Sequence, residues 1–370
     1  MSTLDGLKMA TAEDLQGAVA SGEVTLVLGA GVSRSRNVPG WQELAARLWE
    51  WAFSEPYPLS GSDHPFAHQF AMELIEQELH SSTDYGDETR SRDPFVEAIG
   101  SCLYEGVDAE NRGAAGDTLG IVARLLRQQA TRSERQIRSV VAFNVDSLLE
   151  EEVHRYSRAG RPLVWPVSRA SDDVLRAPGA IRVYHVHGYV PGPNAAAQLP
   201  RVAIRKKRPA KRGPPTQSRI RKRSGVVKTT YHQLIDSAPD TFVFTDWQYW
   251  RLSTTPLSFS NRILGDVLHG SCCLFVGLSM TDVNLIRWLG ARSVELELDV
   301  RSELNMPRIS PGARGYRLPH FWIRPKTDDP TGLLGRFLSL RGVRSIEIDS
   351  WSSRSFEQLM QRSFKLRGRR

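Results

Sequence analysis

Asn144 and Asp146 stand two residues apart in FNVD, directly after the apolar run IRSVVA. An amide in that place can hold a water or a ribose hydroxyl. A carboxylate two residues on can accept hydrogen bonds from a carboxamide. The same residues before SLLEEEV also read as a helix cap. His185 and His187 follow in RVYHVHGY. On an extended strand side chains alternate, which puts both imidazoles on one face. That pair reads as metal ligands without an obvious third, as structural histidines, or, at His187 before Gly188, as a general base titrating near neutrality. Gly29-Ala30-Gly31 with Ser33 follows the run EVTLVL. Glycines between a strand and a helix let the backbone approach a pyrophosphate, and exposed helix N–H groups then bind the anion. They also serve a tight strand–helix connection of no catalytic meaning, and Arg34 occupies the place of the third Gly in a GxGxxG fingerprint. Gly277 and Ser279 close a fourth such run, CCLFVGLS, with Asp282 beyond them as a helix cap.

Strands must carry these groups. Apolar, β-rich runs occur at EVTLVLG, IRSVVAFN, PLVWPV, IRVYHVHG, CCLFVGLS, PHFWIRP and RSIEID. Helical spacing of apolar residues appears in WQELAARLWEWAF, TLGIVARLLRQQA, SNRILGDVLHG and DVNLIRWLGARS. Strands alternating with helices predict an α/β fold: a Rossmann-like, mostly parallel sheet with helices on both faces. Ligands of such sheets lie outside the carboxyl ends of the strands, where all four motifs fall. Residues 54 to 118 read as a helical insertion subdomain. It contains FAHQFAMELIEQEL and a helix led by Asp93 and Pro94. Residues 200 to 225 read as a flexible basic loop inserted in the fold.

GAGVSRSRNVPGW resembles the first motif of the sirtuin family, with Gly29, Ala30, Gly31, Ser33 and Pro39 in register. Gly40-Trp41-Gln42 replaces that family's Asp-Phe-Arg. FNVD resembles the family's QN-I-D motif, with Phe143 in the Gln position. His187-Gly188 matches the catalytic His-Gly, and GLS resembles the GTS segment. The whole pattern is similar to the bacterial sirtuin-like NAD⁺ hydrolases of antiphage defence. The resemblance implies that NAD⁺ is the substrate and that Asn144, Asp146 and His187 are catalytic. Asn144 would orient the ribose or water, Asp146 would hold the nicotinamide amide, and His187 would act on a ribose hydroxyl or the water. Gly29, Ala30, Gly31, Ser33, Gly277 and Ser279 would bind the dinucleotide. It also implies control by homo-oligomerisation or by a partner such as a HerA-like ATPase.

Composition limits other readings. Hydrophobic residues make up 40% and charged residues 24% of the 370, as in globular proteins. The three cysteines, Cys102, Cys272 and Cys273, form no CxxC pair, so the zinc ribbon of protein-deacylating sirtuins is missing and no zinc is expected. Free cysteines and an N-terminus without an apolar signal core suit the cytoplasm, and no run is long enough for a membrane span. The net charge of +8 is local. Residues 201–223 hold 11 Lys or Arg and no acid, and without them 38 basic face 41 acidic residues. That segment can contact nucleic-acid phosphates, dock a partner or simply be solvated. It has no aromatic residues for base stacking. A nuclease finds support only in the segment's charge. A non-catalytic NAD⁺ or ADP-ribose sensor is the other alternative to a hydrolase.

Overall fold

A computed structural model describes residues 9–59, 67–81, 93–107, 116–155, 162–169, 172, 178–192, 201–205, 226–230, 242–304, 319–352 and 354–365. In chain order its elements are α1 (Ala12–Ala20), β1 (Val24–Leu28), two 3-10 turns (Ala30–Val32 and Arg34–Arg36), α2 (Trp41–Phe53), α3 (Ala67–Ser81), α4 (Pro94–Tyr104), α5 (Thr118–Ala130), β2 (Ile137–Ala142), α6 (Leu148–His154), β3 (Val164–Val167) and β4 (Ile181–His185). There follow β5 (Arg201–Arg205), β6 (Val226–Thr230), α7 (Asp246–Thr254), α8 (Phe259–Gly270), β7 (Cys272–Val276), α9 (Val283–Leu304), β8 (His320–Pro325), α10 (Leu333–Ser339), β9 (Val343–Ile348) and α11 (Ser355–Phe364).

Seven strands form one parallel sheet in the order β3-β4-β2-β1-β7-β8-β9. The strand residues explain why both faces are covered. Leu26, Leu28, Val140, Ala142, Leu274, Val276, Phe321 and Ile323 point into a core with α1, α5, α6 and α11. Their neighbours Val27, Val141, Cys273, Phe275 and Trp322 point the other way, into a core with α8, α9 and α10. A strand buried on both faces needs apolar residues at every position, which is why these runs are continuous and not alternating. This is the α/β, Rossmann-like fold expected from the sequence.

β1 lies centrally, with β2 on one side and β7 on the other. The chain runs from β1 to β2, passes to the edge strand β3, comes back to place β4 between β3 and β2, and then lays β7 on β1's opposite edge. The winding direction therefore switches between β1 and β7, the place beside which ligands bind in folds of this kind.

A third core joins α2, α3 and α4 to Val145, Val190, Phe242 and Phe244. Asp93 caps α4 by accepting from the Phe95 N–H at 2.9 Å, with Pro94 in the first turn. This helical layer packs directly on the loops that follow β2 and β4.

Two expectations need correction. Residues 201–205 are a strand, β5, paired antiparallel with β6, and not part of a loop. The sequence RVAIR carries β-branched residues that suit an extended ribbon. The rest of the basic segment, 206–225, lies outside the described residues. Second, β4 ends at His185, and Val186-His187 form a turn. The two histidines therefore do not share a strand face. Among the described residues no helix is long and apolar enough to cross a membrane.

Candidate functional site

The carboxyl ends of β1, β2, β4 and β7 lie side by side, because these strands are parallel and adjacent. Each carries one sequence motif. At the end of β2 the Asn144 amide donates to Ser33 Oγ at 3.1 Å, and Ser33 Oγ donates to Asp146 Oδ2 at 3.0 Å. Asp146 Oδ1 accepts from the Leu148 N–H at 3.1 Å, in the first turn of α6. The N-cap itself is Ser147, so neither residue is the helix cap, although Asp146 bonds the first turn from the position before it. The relay also fixes the Asn144 amide. Its nitrogen is used, and its Oδ1 is a buried acceptor without a partner among the described residues. An unpaired buried amide oxygen costs about 1–3 kcal/mol, so it is retained for a reason or satisfied by a ligand.

Ser33 is 1% exposed, and its proton is committed to Asp146. It positions the carboxylate instead of offering a donor to a ligand. Burial pushes the Asp146 carboxyl above its ordinary range, against the Leu148 and Ser33 hydrogen bonds that lower it. The cavity lined by Ser33, Asn144, Asp146 and His185 measures about 10 Å³. That is room for about one water and not for a pyridine ring.

His185 is buried, and its Nδ1 lies 3.1 Å from the Asn144 carbonyl oxygen. A carbonyl only accepts, so Nδ1 carries a proton. Nε2 lies 2.8 Å from Glu150 Oε1, so a further proton lies between imidazole and carboxylate. His185 thereby braces the Asn144 backbone. His187 makes different contacts. Its ring meets the edge of Phe143 at 4.8 Å between centroids and Tyr249 at 5.8 Å. Its Nε2 lies 3.6 Å from Asp282 Oδ2. Burial lowers its proton affinity and Asp282 raises it, leaving a net downward shift that favours the neutral imidazole. Gly188 has φ +101, and a Cβ there would meet the Phe242 ring at 2.6 Å, which explains a glycine after His187. The histidines share no ligand, and among the described residues no cluster of three His, Cys, Asp or Glu could hold a metal ion.

The glycine turn differs from expectation. Two 3-10 turns, and not an α-helix, follow Gly29; α2 begins only at Trp41, after Pro39-Gly40. The Gly29 N–H donates to Val276 O, Gly31 N–H to Gly277 O, Val32 N–H to Gly29 O and Ser33 N–H to Ala30 O. These groups are spent within the turn and do not form an open anion cradle. The glycines serve close packing instead. A Cβ on Gly29 would fall 2.5 Å from Gly277 O, and one on Gly31 2.8 Å from it. Beyond this contact lies a cavity of about 560 Å³, lined by Gly31, Arg34, Asp117, Gly277, Ser279, Asp328 and Trp351 among others. Ser279 Oγ pairs with Thr281 Oγ1 at 2.7 Å and remains accessible there. Ala30 lies in the first 3-10 turn beside it.

Several supporting residues escaped sequence reasoning. Tyr104 of α4 donates to Val190 O at 2.6 Å and accepts from the Ser147 N–H at 2.9 Å, clamping the β2 and β4 loops together. Arg36 makes two hydrogen bonds to Asp117, at 3.1 and 2.8 Å, with both side chains buried. Tyr249 donates to Asp282 Oδ2 at 3.0 Å. Its helix did carry a signal, since Thr245-Asp246-Trp247-Gln248 has capping-box spacing and forms that box.

Neither a protein-family model nor a curated protein matches the sequence. The fold and site define an α/β Rossmann-like protein with a polar cluster at the strand ends around its switch point.

Proposed function

We propose that this chain hydrolyses NAD⁺ at the nicotinamide–ribose bond, giving nicotinamide and ADP-ribose. One observation carries the reading. The Ser33–Asn144–Asp146 relay leaves one buried amide oxygen unpaired among the described residues, at the end of β2, and the mostly buried His187 follows the neighbouring strand β4. The reaction needs few groups, because the pyridinium leaves without prior protonation and the ribose passes through an oxocarbenium-like state. Asn144 Oδ1 accepts from a ribose hydroxyl or the incoming water. Asp146 accepts from the carboxamide N–H groups. His187 takes the proton released as water bonds to the anomeric carbon. The 560 Å³ cavity past Gly31 and Gly277 suits the adenosine diphosphate half, with Arg34 as its cation.

The 10 Å³ cavity implies control: the nicotinamide end must open before reaction. Its walls include Leu119 of α5 and Leu149 of α6, so opening it means moving those helices. An activating partner or self-assembly would act there, as suits an antiphage effector that depletes NAD⁺ on demand. Such a partner would be of the HerA-like ATPase kind that the sequence resemblance implies. The test is nicotinamide release from NAD⁺, followed by chromatography, for the wild type, Asn144→Ala and His187→Ala, in buffer and in a lysate containing the neighbouring gene products. Release that both substitutions abolish supports the reading. Release undiminished in Asn144→Ala overturns it.

The same small cavity favours a second reading, a module that binds ADP-ribose or NAD⁺ without turnover. Saturable ADP-ribose binding with no release under either condition would establish it.

A further inference from the structure

We infer that Asp282 and Tyr249 are positioning residues for His187, forming a Tyr–Asp–His array that sets which imidazole nitrogen works as the base. The inference rests on the hydrolase reading for its consequence and on geometry for its substance. Asp282 stands at the start of α9, where Oδ1 accepts from the Leu285 N–H at 2.8 Å and its carbonyl accepts from the Ile286 N–H at 3.0 Å. One carboxylate oxygen is thus committed to capping. The other, Oδ2, accepts from Tyr249 Oη at 3.0 Å and faces His187 Nε2 at 3.6 Å. His187 Nε2 has no hydrogen-bond partner among the described residues, so this carboxylate is the acceptor it approaches. Catalytic hydrogen bonds are often long in a free enzyme and tighten when substrate arrives.

The three side chains come from three separate elements: the turn after β4, the helix α7 and the start of α9. Phe143 and the Tyr249 ring pack edge-on against the imidazole and fix its plane. With Nε2–H directed at Asp282, the free lone pair is on Nδ1, so Nδ1 is the basic atom. A carboxylate behind an imidazole holds its tautomer and stabilises the imidazolium formed when it accepts a proton. Asp282 therefore acts through His187 and need not touch substrate. The charged and titratable groups around the pair are Tyr249 from α7 and, on α9, Arg287, whose charge acts on Asp282; Gln69 of α3 also bonds the Tyr249 hydroxyl. Burial holds the Tyr249 phenol well above its usual range, so it stays a donor throughout the working pH range.

The experiment is an NMR pH titration of the His187 ring in the full chain, beside steady-state nicotinamide release. Asp282→Asn keeps a helix-capping side chain and an acceptor for Tyr249, so the fold survives. It removes the charge that stabilises the imidazolium. We expect the His187 titration to move to lower pH, the acid limb of the kcat profile to move with it, and kcat to fall about 10- to 100-fold with KM nearly constant. Tyr249→Phe frees Oδ2 from its competing donor, so the His187 titration moves the opposite way, to higher pH. Opposed shifts in the two variants support the array. An unchanged His187 titration in Asp282→Asn overturns it. Opposed titration shifts in a protein that never releases nicotinamide would keep the array and discard the hydrolase reading.

Discussion

The two halves of the crevice are built differently. On the β2 side, Ser33, Asn144, Asp146 and His185 are tied together by hydrogen bonds around about 10 Å³ of space. On the β7 side, Gly31, Gly277 and Ser279 border about 560 Å³. Both halves follow strand ends of one sheet, so the difference comes from what covers them. Leu119 of α5 and Leu149 of α6 close in on the polar cluster, while the open side borders the loops at Gly116–Asp117 and Trp351–Ser352. On the proposed hydrolase reading, NAD⁺ would enter the open half first and the shut half would gate reaction. Affinity and turnover should therefore be separable by mutation.

The largest expected effect tests whether the halves share one support. Arg36 leaves the 3-10 turn after the glycines and pairs in the interior with Asp117, which borders the open cavity. Arg36→Ala strands a buried carboxylate and should cost about 3–5 kcal/mol in denaturant unfolding. Next, Asn144→Ala should lower nicotinamide release about 100-fold or more while ADP-ribose binding, read by calorimetry, changes less than about threefold. Equal losses in both would erase the distinction between the halves. Gly31→Ala drives a methyl toward Gly277 O and should destabilise the fold by about 1–3 kcal/mol, visible as a lower denaturation midpoint with unchanged slope. Ser279→Ala should raise KM for NAD⁺ about threefold and leave kcat alone.

The smallest effect is one of pH. The Asp146 carboxyl is raised in the folded protein by burial. A raised carboxyl binds more protons folded than unfolded, so its contribution to stability falls as pH rises through its folded value. Asp146→Asn should therefore favour the fold more at pH 7 than at pH 3, while losing activity. Melting curves at the two pH values check the sign.

The seven strands of the main sheet were legible because each is a short run rich in apolar and β-branched or aromatic residues, with only a few polar ones such as Arg138, Arg182 and Arg344. Their order gave no sequence signal, yet the order is what brings Ser33 to Asp146 across 113 residues. The glycines were visible, but their close packing was not: Gly29 and Gly31 admit the turn after β7, and Gly31 also borders the open cavity. Glu150, Glu151 and Glu152 carried no sequence signal of their surroundings. All three are buried, since His185, Ser147 and Arg36 supply partners from distant segments. Asp282 read as a helix cap and is one. Its second oxygen faces His187, a role that depends on where α9 docks.

The central placement of β1 also governs how the protein comes to be folded. Val24 pairs with Ile137 on one side and with Cys272 on the other, so the first strand made must wait for partners more than 100 and then nearly 250 residues later. Contacts of such sequence separation fold slowly, and the exposed apolar strand invites association while it waits. During synthesis the polar cluster at the strand ends is therefore assembled in order: Ser33 is made first, meets Asn144 and Asp146 when β2 docks, and gains the β7 wall last. A nascent chain cut short before Cys272 has the relay's residues but lacks the strand that closes the other side of β1. The crevice cannot be completed, and no activity that depends on it can begin, until most of the polypeptide has left the ribosome.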